Sequence, residues 1–214
     1  MSRRPEAKTE RRRARRKRSR RPRFWIVAGP NGSGKSSAYE DSEIEEFGGS
    51  VWIINPDALA RRIADIEGLA NANLAAVQRI ETWLEASIKA HQTIGVETVL
   101  STSKYRRLVR LAKSLKFEDR LIYVILSSPD LNVERVKLRV AKGGHNVEAD
   151  KIRSRYGRSL RQLPWFLDRA DHAWLYDNSG TSPKLIGEKI GGVLTLDPDA
   201  LPAIKKAARK VSHR

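Results

Sequence analysis

Residues 29–36 read Gly-Pro-Asn-Gly-Ser-Gly-Lys-Ser and match the pattern G-x-x-x-x-G-K-[ST] at every position. The glycines let the backbone curl so that several N–H groups point at phosphate oxygens. Lys35 can reach the β- and γ-phosphates, and the Ser36 hydroxyl can ligate Mg²⁺. A strand-like apolar run at 24–28 precedes the motif, and a predicted helix at 35–47 follows it. The sequence therefore predicts a phosphate-binding loop rather than a chance glycine-rich turn. The loop residues expected to contact the nucleotide are Gly29, Asn31, Gly32, Ser33, Gly34, Lys35, Ser36 and Ser37.

The length and composition indicate a single α/β domain. The chain has 214 residues, which suits one sizeable α/β domain and is short for two. It has no cysteine, which excludes disulfides, thiolate zinc sites and cysteine nucleophiles and suits a reducing cytoplasm. Its apolar runs are shorter than the roughly 18 to 20 residues that a membrane span needs. We therefore expect a cytoplasmic protein without a membrane span.

The positive charge is concentrated at the N-terminus. Residues 1–23 hold 13 Lys and Arg against two Glu, out of a net charge of +17. The other 191 residues carry 29 Lys and Arg against 23 Asp and Glu, a surplus of +6. Such a segment cannot bury apolar surface, so a disordered basic arm is expected at 1–23. The arm could bind nucleic acid, ribosomes or an acidic partner through counterion release, or it is a solubilising tail or upstream sequence included by a misplaced start. The sequence leaves these alternatives open.

Short apolar runs alternate with amphipathic segments along the rest of the chain. Strands are predicted at 24–28, 51–54, 94–100, 121–126 and 173–176. Helices are predicted at 35–47, 57–66, 72–92, 104–116, 131–141, 149–162 and 200–211. This alternation favours a three-layer α/β fold with a central, mostly parallel five-stranded sheet. Ligands of such sheets lie at the carboxyl ends of the strands, so the polar residues there are candidates for the site.

The second predicted strand ends in Asn55-Pro56-Asp57. Asn55 suits an N-cap, Pro56 suits the first helical position, and a carboxylate at Asp57 interacts favourably with the helix dipole. At this strand end Asp57 would also face the phosphate loop across the cleft. There it could accept a proton from an attacking hydroxyl or hold Mg²⁺ through water. Spacing alone favours neither interpretation.

Glu97 lies within the otherwise apolar strand predicted at 94–100. A charge in a buried strand costs several kcal/mol unless it is paired, so Glu97 either points into the ligand cleft or the strand is partly exposed. The first interpretation is favoured and gives Glu97 a role with substrate or metal. Ser101, Thr102 and Ser103 follow the strand. They could bind a ligand, but capping the helix expected near Lys104 is the favoured interpretation.

Arginines are dense between residues 135 and 161, around the sequence Gly143-Gly144-His145. Two glycines make a natural hinge between helices, and phosphoryl transfer needs cations that close over the transferred group. The cluster is interpreted as a helical lid, and His145 either contacts the ligand or has no role. The basic residues of the cluster are Arg135, Arg139, Lys142, Arg153, Arg155, Arg158 and Arg161.

Two further features have structural interpretations. Asp177 belongs to a predicted turn at 176–180, and a ligand role for Asn178 stays open. The tryptophans are not interleaved with basic residues, so they are interpreted as core residues rather than base-stacking platforms. The tryptophans lie at positions 25, 52, 83, 165 and 174.

An ordered series of motifs between about residues 24 and 190 resembles the zeta toxin family of P-loop kinases, and more closely its stand-alone bacterial branch. The motifs, in chain order, are Gly29 to Ser36, Asn55-Pro56-Asp57, Glu97-Thr98, Arg139-Val140 with Gly143-Gly144-His145, Ile152 to Tyr156 with Arg158-Ser159-Leu160, and Tyr176 to Gly180. The resemblance implies a kinase fold that uses ATP and Mg²⁺. The better-known members phosphorylate the amino-sugar of UDP-N-acetylglucosamine.

The resemblance also implies roles for particular residues. Asp57 corresponds to the general base of the family, and Lys35 and Ser36 correspond to its phosphate and metal residues. Glu97, with Thr98 and Ser101 beside it, corresponds to the acceptor site. Arg139 and one arginine among Arg153, Arg155 and Arg158 correspond to the phosphate-binding lid, with Arg155 taken as catalytic. The stretch after Glu97 and the Gly-Gly-His sequence depart from the better-known toxins, and both concern selection of the acceptor.

The sequence therefore predicts an ATP- and Mg²⁺-dependent kinase that phosphorylates a hydroxyl of a small molecule, with a nucleotide sugar as the leading acceptor. We expect a basic arm at 1–23, a P-loop kinase domain at 24–196 and a basic C-terminal helix or tail at 197–214. The resemblance adds an antitoxin as a potential protein partner. Two alternatives remain: a kinase of RNA or DNA ends that uses the arm, and a non-catalytic ATP-binding switch.

Overall fold

The structure is a computed structural model that describes residues 21–35, 53–67 and 72–211. Its strands form one seven-stranded sheet in the order β2-β3-β1-β4-β5-β6-β7. The strands are β1 (Arg23–Ala28), β2 (Ile53–Ile54), β3 (Ile94–Thr98), β4 (Glu118–Ile125), β5 (His172–Asp177), β6 (Lys184–Ile190) and β7 (Val193–Leu196). The helices are α1 (Pro56–Glu67), α2 (Ala72–Lys89), α3 (Arg106–Ser114), α4 (Pro129–Ala141), α5 (Ala149–Arg169) and α6 (Pro202–Ala208).

The first five strands are parallel and confirm the predicted α/β class. β1 lies between β3 and β4, with Ala28 opposite Thr98 on one side and Tyr123 on the other. Since these strands run in one direction, their carboxyl ends meet along one edge of the sheet. The phosphate loop, the end of β3 and the Asn55 segment are therefore brought to the same edge.

The predicted strand count of five was wrong, because β6 and β7 extend the sheet as an antiparallel hairpin. Gly191 and Gly192 join them with φ angles of +58° and +86°, the geometry of a two-residue hairpin turn. Charged residues interrupt β6, so it carries no continuous apolar run, and Ile190 and Val193 beside the turn are more than half exposed. The sequence signal of the hairpin is the Gly-Gly pair, because its strands lack the apolar runs that are typical of buried parallel strands.

One face of the sheet carries the main core. Phe24 and Ile26 of β1 pack there with the apolar stripe of α2, and α3, α5 and α6 complete the layer. On the other face Trp25 and Val27 pack with Ile122 and Val124. The described ranges contribute no helix to that second cluster, and the helix predicted at 35–47 lies outside the described residues. Within the described residues no helix combines the length and apolarity needed to cross a bilayer.

Helix α5 continues past the end predicted for it at residue 162. It runs to Arg169 with Pro164 inside it. A proline removes one helical hydrogen bond, which costs about 3 kcal/mol in an isolated helix. Leu163, Phe166 and Leu167 are at most 3% exposed. Their burial offsets that cost, because each fully buried large side chain contributes roughly 1.5 to 3 kcal/mol.

The described part of the predicted C-terminal segment packs onto the domain. Ile204 and Ala207 of α6 belong to the main core. The interpretation of the tryptophans as core residues holds for Trp25, which is fully buried, and is wrong for Trp83, which is 39% exposed. Trp165 and Trp174 are half-buried, and Trp52 lies outside the described residues.

A buried carboxyl group lies at the edge of the sheet opposite the phosphate loop. Asp119, near the start of β4, is 3% exposed, and the Lys113 Nζ lies 3.7 Å from its Oδ2. Burial raises the pKa of Asp119 from 3.8 to about 7, opposed by Lys113 and reinforced by the charge of Asp171. The folded chain therefore retains a proton that the unfolded chain loses above about pH 4.

We expect Asp119→Asn to stabilise the protein at pH 8 and to have little effect near pH 4. The contribution of this group to stability is lost as the pH rises from its unfolded pKa through its folded pKa. Each unit of pKa difference corresponds to about 1.4 kcal/mol, so the gain should be at most a few kcal/mol. Urea unfolding of both proteins at several pH values measures it. A difference between the two proteins that does not change with pH would contradict the prediction.

Candidate active site

The phosphate loop follows β1 and has three glycines at positive φ angles. Gly29, Gly32 and Gly34 have φ angles of +151°, +76° and +80°. A Cβ on Gly29 would lie 2.1 Å from the Val124 carbonyl oxygen, and the Gly29 N–H donates to the Thr98 carbonyl at 3.1 Å. These positions need glycine for both conformation and space. The loop is thereby wedged between β3 and β4.

Side chains from three other elements hold the outside of the loop. The Asn132 Nδ2 of α4 donates to the Asn31 carbonyl at 2.7 Å, and the Asn178 Nδ2 after β5 donates to the Ser33 carbonyl at 2.9 Å. The Arg155 guanidinium of α5 donates to the Asn31 Oδ1 at 3.2 Å. Hydrogen bonds to the outward-facing carbonyl oxygens leave the N–H groups of a loop free to point inward at an anion.

Lys35 is buried at the centre of the site, 8% exposed. Its ammonium donates to the carbonyl oxygens of Gly29 and Pro30 at 3.0 and 3.3 Å. It also lies 3.7 Å from the Glu97 Oε1. The Asn55 Nδ2 donates to the other carboxylate oxygen, Glu97 Oε2, at 3.0 Å. Residues from the loop, from the end of β2 and from β3 therefore converge, and Glu97 points into the cleft as the sequence predicted.

The segment after β3 forms the opposite wall of the cleft. Leu100 has a φ angle of +56°, which is unusual for a residue with a side chain, and its N–H is held by the Thr98 Oγ1 at 3.0 Å. The reversed backbone directs Ser101, Lys104 and Tyr105 along the cleft. Burial lowers the pKa of Lys104, against the effect of Glu81, whose carboxylate lies 3.5 Å away.

The preference for Ser101 to Ser103 as helix caps was wrong. Helix α3 begins at Arg106, its N-cap is Tyr105, and no side-chain hydrogen bond caps it. Asn55, by contrast, caps α1 as predicted, because its Oδ1 accepts from the Ala58 N–H at 3.1 Å. Asn55 therefore performs two functions, since its amide nitrogen holds Glu97 and its oxygen caps the helix.

The loop, the strand ends and the arginines enclose a cleft of about 500 Å³. A second cavity of about 580 Å³ adjoins it and shares Asn31, His145 and Arg155 with it. The cleft combines three or more cations with a carboxylate, which is a suitable environment for a polyphosphate and a hydroxyl-bearing acceptor. Predicted site residues that line the cleft are Asn31, Gly32, Lys35, Glu97, Thr98, Ser101, Arg139 and Arg155.

The structure separates the predicted lid arginines into two groups. Arg155 contacts the phosphate loop, and Arg139 lines the cleft while donating to the His145 carbonyl at 2.8 Å. Arg153 instead pairs with Asp130 at 2.9 Å and with Asp150 at 3.3 Å. Among the described residues Arg153 and Arg158 do not line the cleft. Of these arginines, Arg155 and Arg139 therefore line the cleft, and Arg135 approaches the loop from α4, with its Nη1 3.7 Å from the Cβ position of Gly34.

The Gly-Gly-His connection shapes the rim of the cleft. Gly143 has a φ angle of +82°, and the Gly144 N–H donates to the Arg139 carbonyl at 2.9 Å. A Cβ on Gly144 would lie 2.5 Å from the Arg139 Cγ. His145 lines both cavities, so this loop histidine lies beside the candidate ligand.

Three predicted residues lie wholly or partly outside the described part of the chain. Ser36 and Ser37 lie outside the described residues. Asp57 is the second residue of α1, at the same sheet edge as Glu97, but its side chain is outside the described part. Within the described ranges no three His, Asp or Glu side chains are grouped to hold a metal. The metal role of Ser36 stays a prediction.

The remaining predictions concern the end of β5. The turn interpretation of Asp177 is confirmed, because its Oδ1 accepts from the Ser179 N–H at 2.9 Å. Asn178, left open by the sequence, holds the phosphate loop. Sequence reasoning missed Asn132, which is fully buried beside Val133 and Val136 of α4. A polar residue on that apolar stripe was the available signal.

Comparison with known proteins identifies the family of the chain. Residues 24–164 match the model of the AAA domain family AAA_33, which spans the loop, both walls of the cleft and most of α5. The chain belongs to the AAA_33 family. An uncharacterized protein of Haemophilus influenzae is 26% identical to this chain over 145 residues. The match covers 64% of this chain and 99% of that protein.

Solved structures show the same α/β P-loop kinase-like fold. The AvrRxo1-ORF1:-ORF2 complex with ATP superposes with a TM-score of 0.67 at 15% identity, over 92% of this chain. The chain spans 65% of that structure's chain, which is less than two thirds. The PezAT toxin-antitoxin system of Streptococcus pneumoniae gives 0.58 at 15% identity, over 88% of this chain and 83% of its own. A predicted kinase from Chloroflexus aurantiacus gives 0.51 at 19% identity, over 64% and 78%.

We expect Gly34→Ala to reduce ATP affinity at least about tenfold, because two effects combine. The φ angle of +80° is unfavourable for alanine, and the new Cβ would lie 2.3 Å from the Asn178 Nδ2 that holds Ser33. Gly143→Ala is a matched control, since Gly143 has a φ of +82° and nothing within 4 Å of its Cβ position. Calorimetric titration with ATP compares the two variants. Equal losses would show that backbone strain alone, and not displacement of Asn178, explains the effect.

Proposed function

We propose that this AAA_33 family member is an ATP- and Mg²⁺-dependent phosphotransferase of the zeta toxin type. It would transfer the γ-phosphoryl group to a hydroxyl of a small molecule, with a nucleotide sugar such as UDP-N-acetylglucosamine as the leading acceptor. The observation that carries the proposal is the convergence of Lys35, Glu97 and Asn55 from three elements beside a loop that Arg155 contacts. A pure ATP-binding module has no need of a second, carboxylate-bearing wall.

The cationic residues have complementary roles. Lys35 lies where the loop would place the β- and γ-phosphates, and binding of ATP exchanges its carbonyl partners for phosphate oxygens. Arg155 and Arg139 line the same cleft as Lys35 and neutralise charge as the phosphoryl group moves. Ser36 would hold Mg²⁺ together with the nucleotide phosphates, and the ion would supply further neutralisation of the phosphate charge.

The acidic residues act on the acceptor. Asp57, at the start of α1, accepts the proton of the attacking hydroxyl, in keeping with the family resemblance. Glu97 accepts a hydrogen bond from an acceptor hydroxyl, while Asn55 fixes its orientation at 3.0 Å. Since Lys35 lies 3.7 Å from the same carboxylate, Glu97 connects the donor and acceptor halves of the cleft. Lys104 and Ser101 extend the acceptor wall.

The proposal is tested by transfer of label from γ-labelled ATP to UDP-N-acetylglucosamine in the presence of Mg²⁺. The wild-type chain should yield a phosphorylated sugar, and Asp57→Asn should lower the rate at least about a hundredfold. A parallel incubation with a metabolite extract identifies any other small acceptor. Label on RNA ends instead would support the polynucleotide kinase alternative, and slow hydrolysis without any labelled acceptor would support the switch. Normal turnover by Asp57→Asn would remove that residue from the mechanism.

A protein partner is part of the same proposal. The PezAT structure comes from a toxin-antitoxin system, and this chain shares its fold. An antitoxin would then control this kinase in the cell. Growth arrest on expression of the wild-type chain, absent with the Asp57→Asn variant, would support toxicity that depends on phosphoryl transfer.

A further inference from the structure

A cluster of arginines surrounds one tryptophan on the helical face of the molecule. The guanidinium carbons of Arg106 and Arg110 on α3 and of Arg169 on α5 lie 4.8, 5.5 and 4.1 Å from the centre of the Trp165 ring. We call Arg106, Arg110, Arg169 and Trp165 the arginine cluster. The quadrupole of the indole ring attracts each guanidinium to its face. The ring therefore holds three like charges close together.

The charges of the arginine cluster are poorly neutralised within the described ranges. Arg106 donates to the neutral Gln162 at 2.8 Å, and its Nε is buried without a partner. Arg110 is exposed and has no carboxylate partner there, and the carboxylate partner of Arg169 in those ranges is the adjacent Asp168, at 3.2 Å. Burial and the charges of Arg110 and Arg169 lower the pKa of Arg106. An external anion would relieve this repulsion.

A neighbouring arginine shows the ordinary arrangement. Arg107, next to Arg106 on α3, pairs with Glu85 of α2 at 2.7 Å, and Glu85 also pairs with Lys89. The acidic residues of α2 thus neutralise one side of α3. The side that faces Trp165 lacks such a partner in the described part of the chain. Of these two sides of α3, the one that faces Trp165 therefore carries the positive charge that the described part of the chain leaves unneutralised.

Arg21, a residue of the predicted basic arm, contacts the fold beside α3. The Arg21 guanidinium donates to the carbonyl oxygens of Lys116 and Phe117, just after the end of that helix. The twenty residues before Arg21 contain 11 Lys and Arg and two Glu, and nine of the eleven are Arg. Arginine matches phosphate geometry with two parallel hydrogen bonds, whereas lysine acts as a point charge.

We propose that the arginine cluster is a docking surface for the phosphate backbone of a nucleic acid. The tryptophan ring is covered by guanidinium groups rather than open to a base, so recognition is through phosphates and is independent of sequence. Preorganised guanidiniums lose little freedom on binding. An acidic protein is the competing occupant. Arginine predominates in both the cluster and the N-terminal segment. This favours a partner that presents phosphate groups over an acidic protein, whose carboxylate groups are spread along a flexible chain.

The surface is separate from the candidate active site. Among the described residues Arg106, Arg110, Arg169 and Trp165 do not line the phosphate-loop cleft. Docking would therefore hold the enzyme on a nucleic acid while the cleft acts on its own acceptor. This inference does not depend on the identity of that acceptor.

Titration of the full chain with a labelled single-stranded oligouridylate tests the proposal over about 50 to 200 mM salt. Removal of one arginine that binds a phosphate should reduce the slope of log K against log salt by about 0.7. We expect that reduction for Arg110→Gln and about twice that for the Arg106→Gln/Arg110→Gln double variant, with weaker binding at each salt concentration. Arg153→Gln, which removes an arginine already paired with two carboxylates, should leave the slope unchanged.

Three outcomes would overturn the proposal. The first is an unchanged slope of log K against log salt in the cluster variants, and the second is a reduction of that slope in Arg153→Gln equal to that in Arg110→Gln. The third is tighter binding of polyglutamate than of oligouridylate. Phosphoryl transfer to the small acceptor should be unchanged in Arg110→Gln, so failure of this proposal is distinguishable from failure of the proposed kinase function. Thermal unfolding of each variant shows whether weaker binding reflects a loss of folding.

Discussion

Lys35→Met should lower kcat/KM for phosphoryl transfer by about a thousandfold or more, with a smaller loss of ATP affinity. Lys35 is 8% exposed, and its ammonium is fixed by the carbonyl oxygens of Gly29 and Pro30 and by Glu97. A cation preorganised in a cleft with little water stabilises developing charge without reorganisation during the reaction. Methionine keeps much of the volume and removes the charge. Steady-state kinetics and ATP titration separate the two effects.

The control is Lys137→Met, which removes a lysine from the exposed side of α4. It should leave both kcat/KM and ATP affinity unchanged. Because Lys35→Met also leaves Glu97 without that cation, the unfolding free energy of the variant must be measured. A folded Lys35→Met protein with wild-type kcat would show that the Lys35 charge contributes nothing to the transition state.

Arg155→Ala should reduce kcat by about a thousandfold, whereas Arg153→Ala should have an effect of less than about threefold. The two residues lie two positions apart on α5, but only Arg155 reaches the phosphate loop, through the Asn31 Oδ1 at 3.2 Å. Arginines that neutralise the transferring phosphoryl group contribute factors of about 10³ to 10⁵ in P-loop enzymes. Arg153 pairs on the surface with Asp130 and Asp150. Exposed pairs of this kind contribute at most about 1 kcal/mol to stability.

Single-turnover kinetics at saturating ATP measure the chemical step of both variants. Guanidinium ion added to Arg155→Ala should restore part of the rate, because it supplies the missing charge without the covalent link. Equal losses in the two variants would mean that α5 acts through its overall position. A large loss in Arg153→Ala alone would require the lid to rearrange when ATP binds.

Much of the fold could be predicted because its signals are local. The parallel strands appear as short apolar runs at 24–28, 94–100, 121–126 and 173–176, and the structure places strands at each of them. The errors lie where tertiary contacts override local signals. Pro164 does not end α5, because three buried side chains hold the following turn. The solvated hairpin of β6 and β7 has no buried run to reveal it.

In the candidate site, too, the features with local sequence signals could be predicted, and those that depend on tertiary packing could not. The glycine spacing of the loop predicts its conformation, since positive φ angles require residues without a side chain. The position of Glu97 in an apolar strand predicts that it faces the cleft. The choice of Arg155 over Arg153 could not be predicted, because both are compatible with helical spacing and only packing against the loop distinguishes them.

The sequence by itself determined that this protein has a phosphate loop, a parallel sheet and a carboxylate at a strand end facing the cleft. Each of these follows from a local pattern: glycine spacing, short apolar runs, and one charge inside such a run. Only the tertiary structure decided which distant side chains meet that loop. Asn132 and Asn178 hold its carbonyl groups, and Asn55 orients Glu97. The physical reason is that a hydrogen bond depends on separation in space to within a few tenths of an ångström, and sequence spacing between elements does not specify that separation.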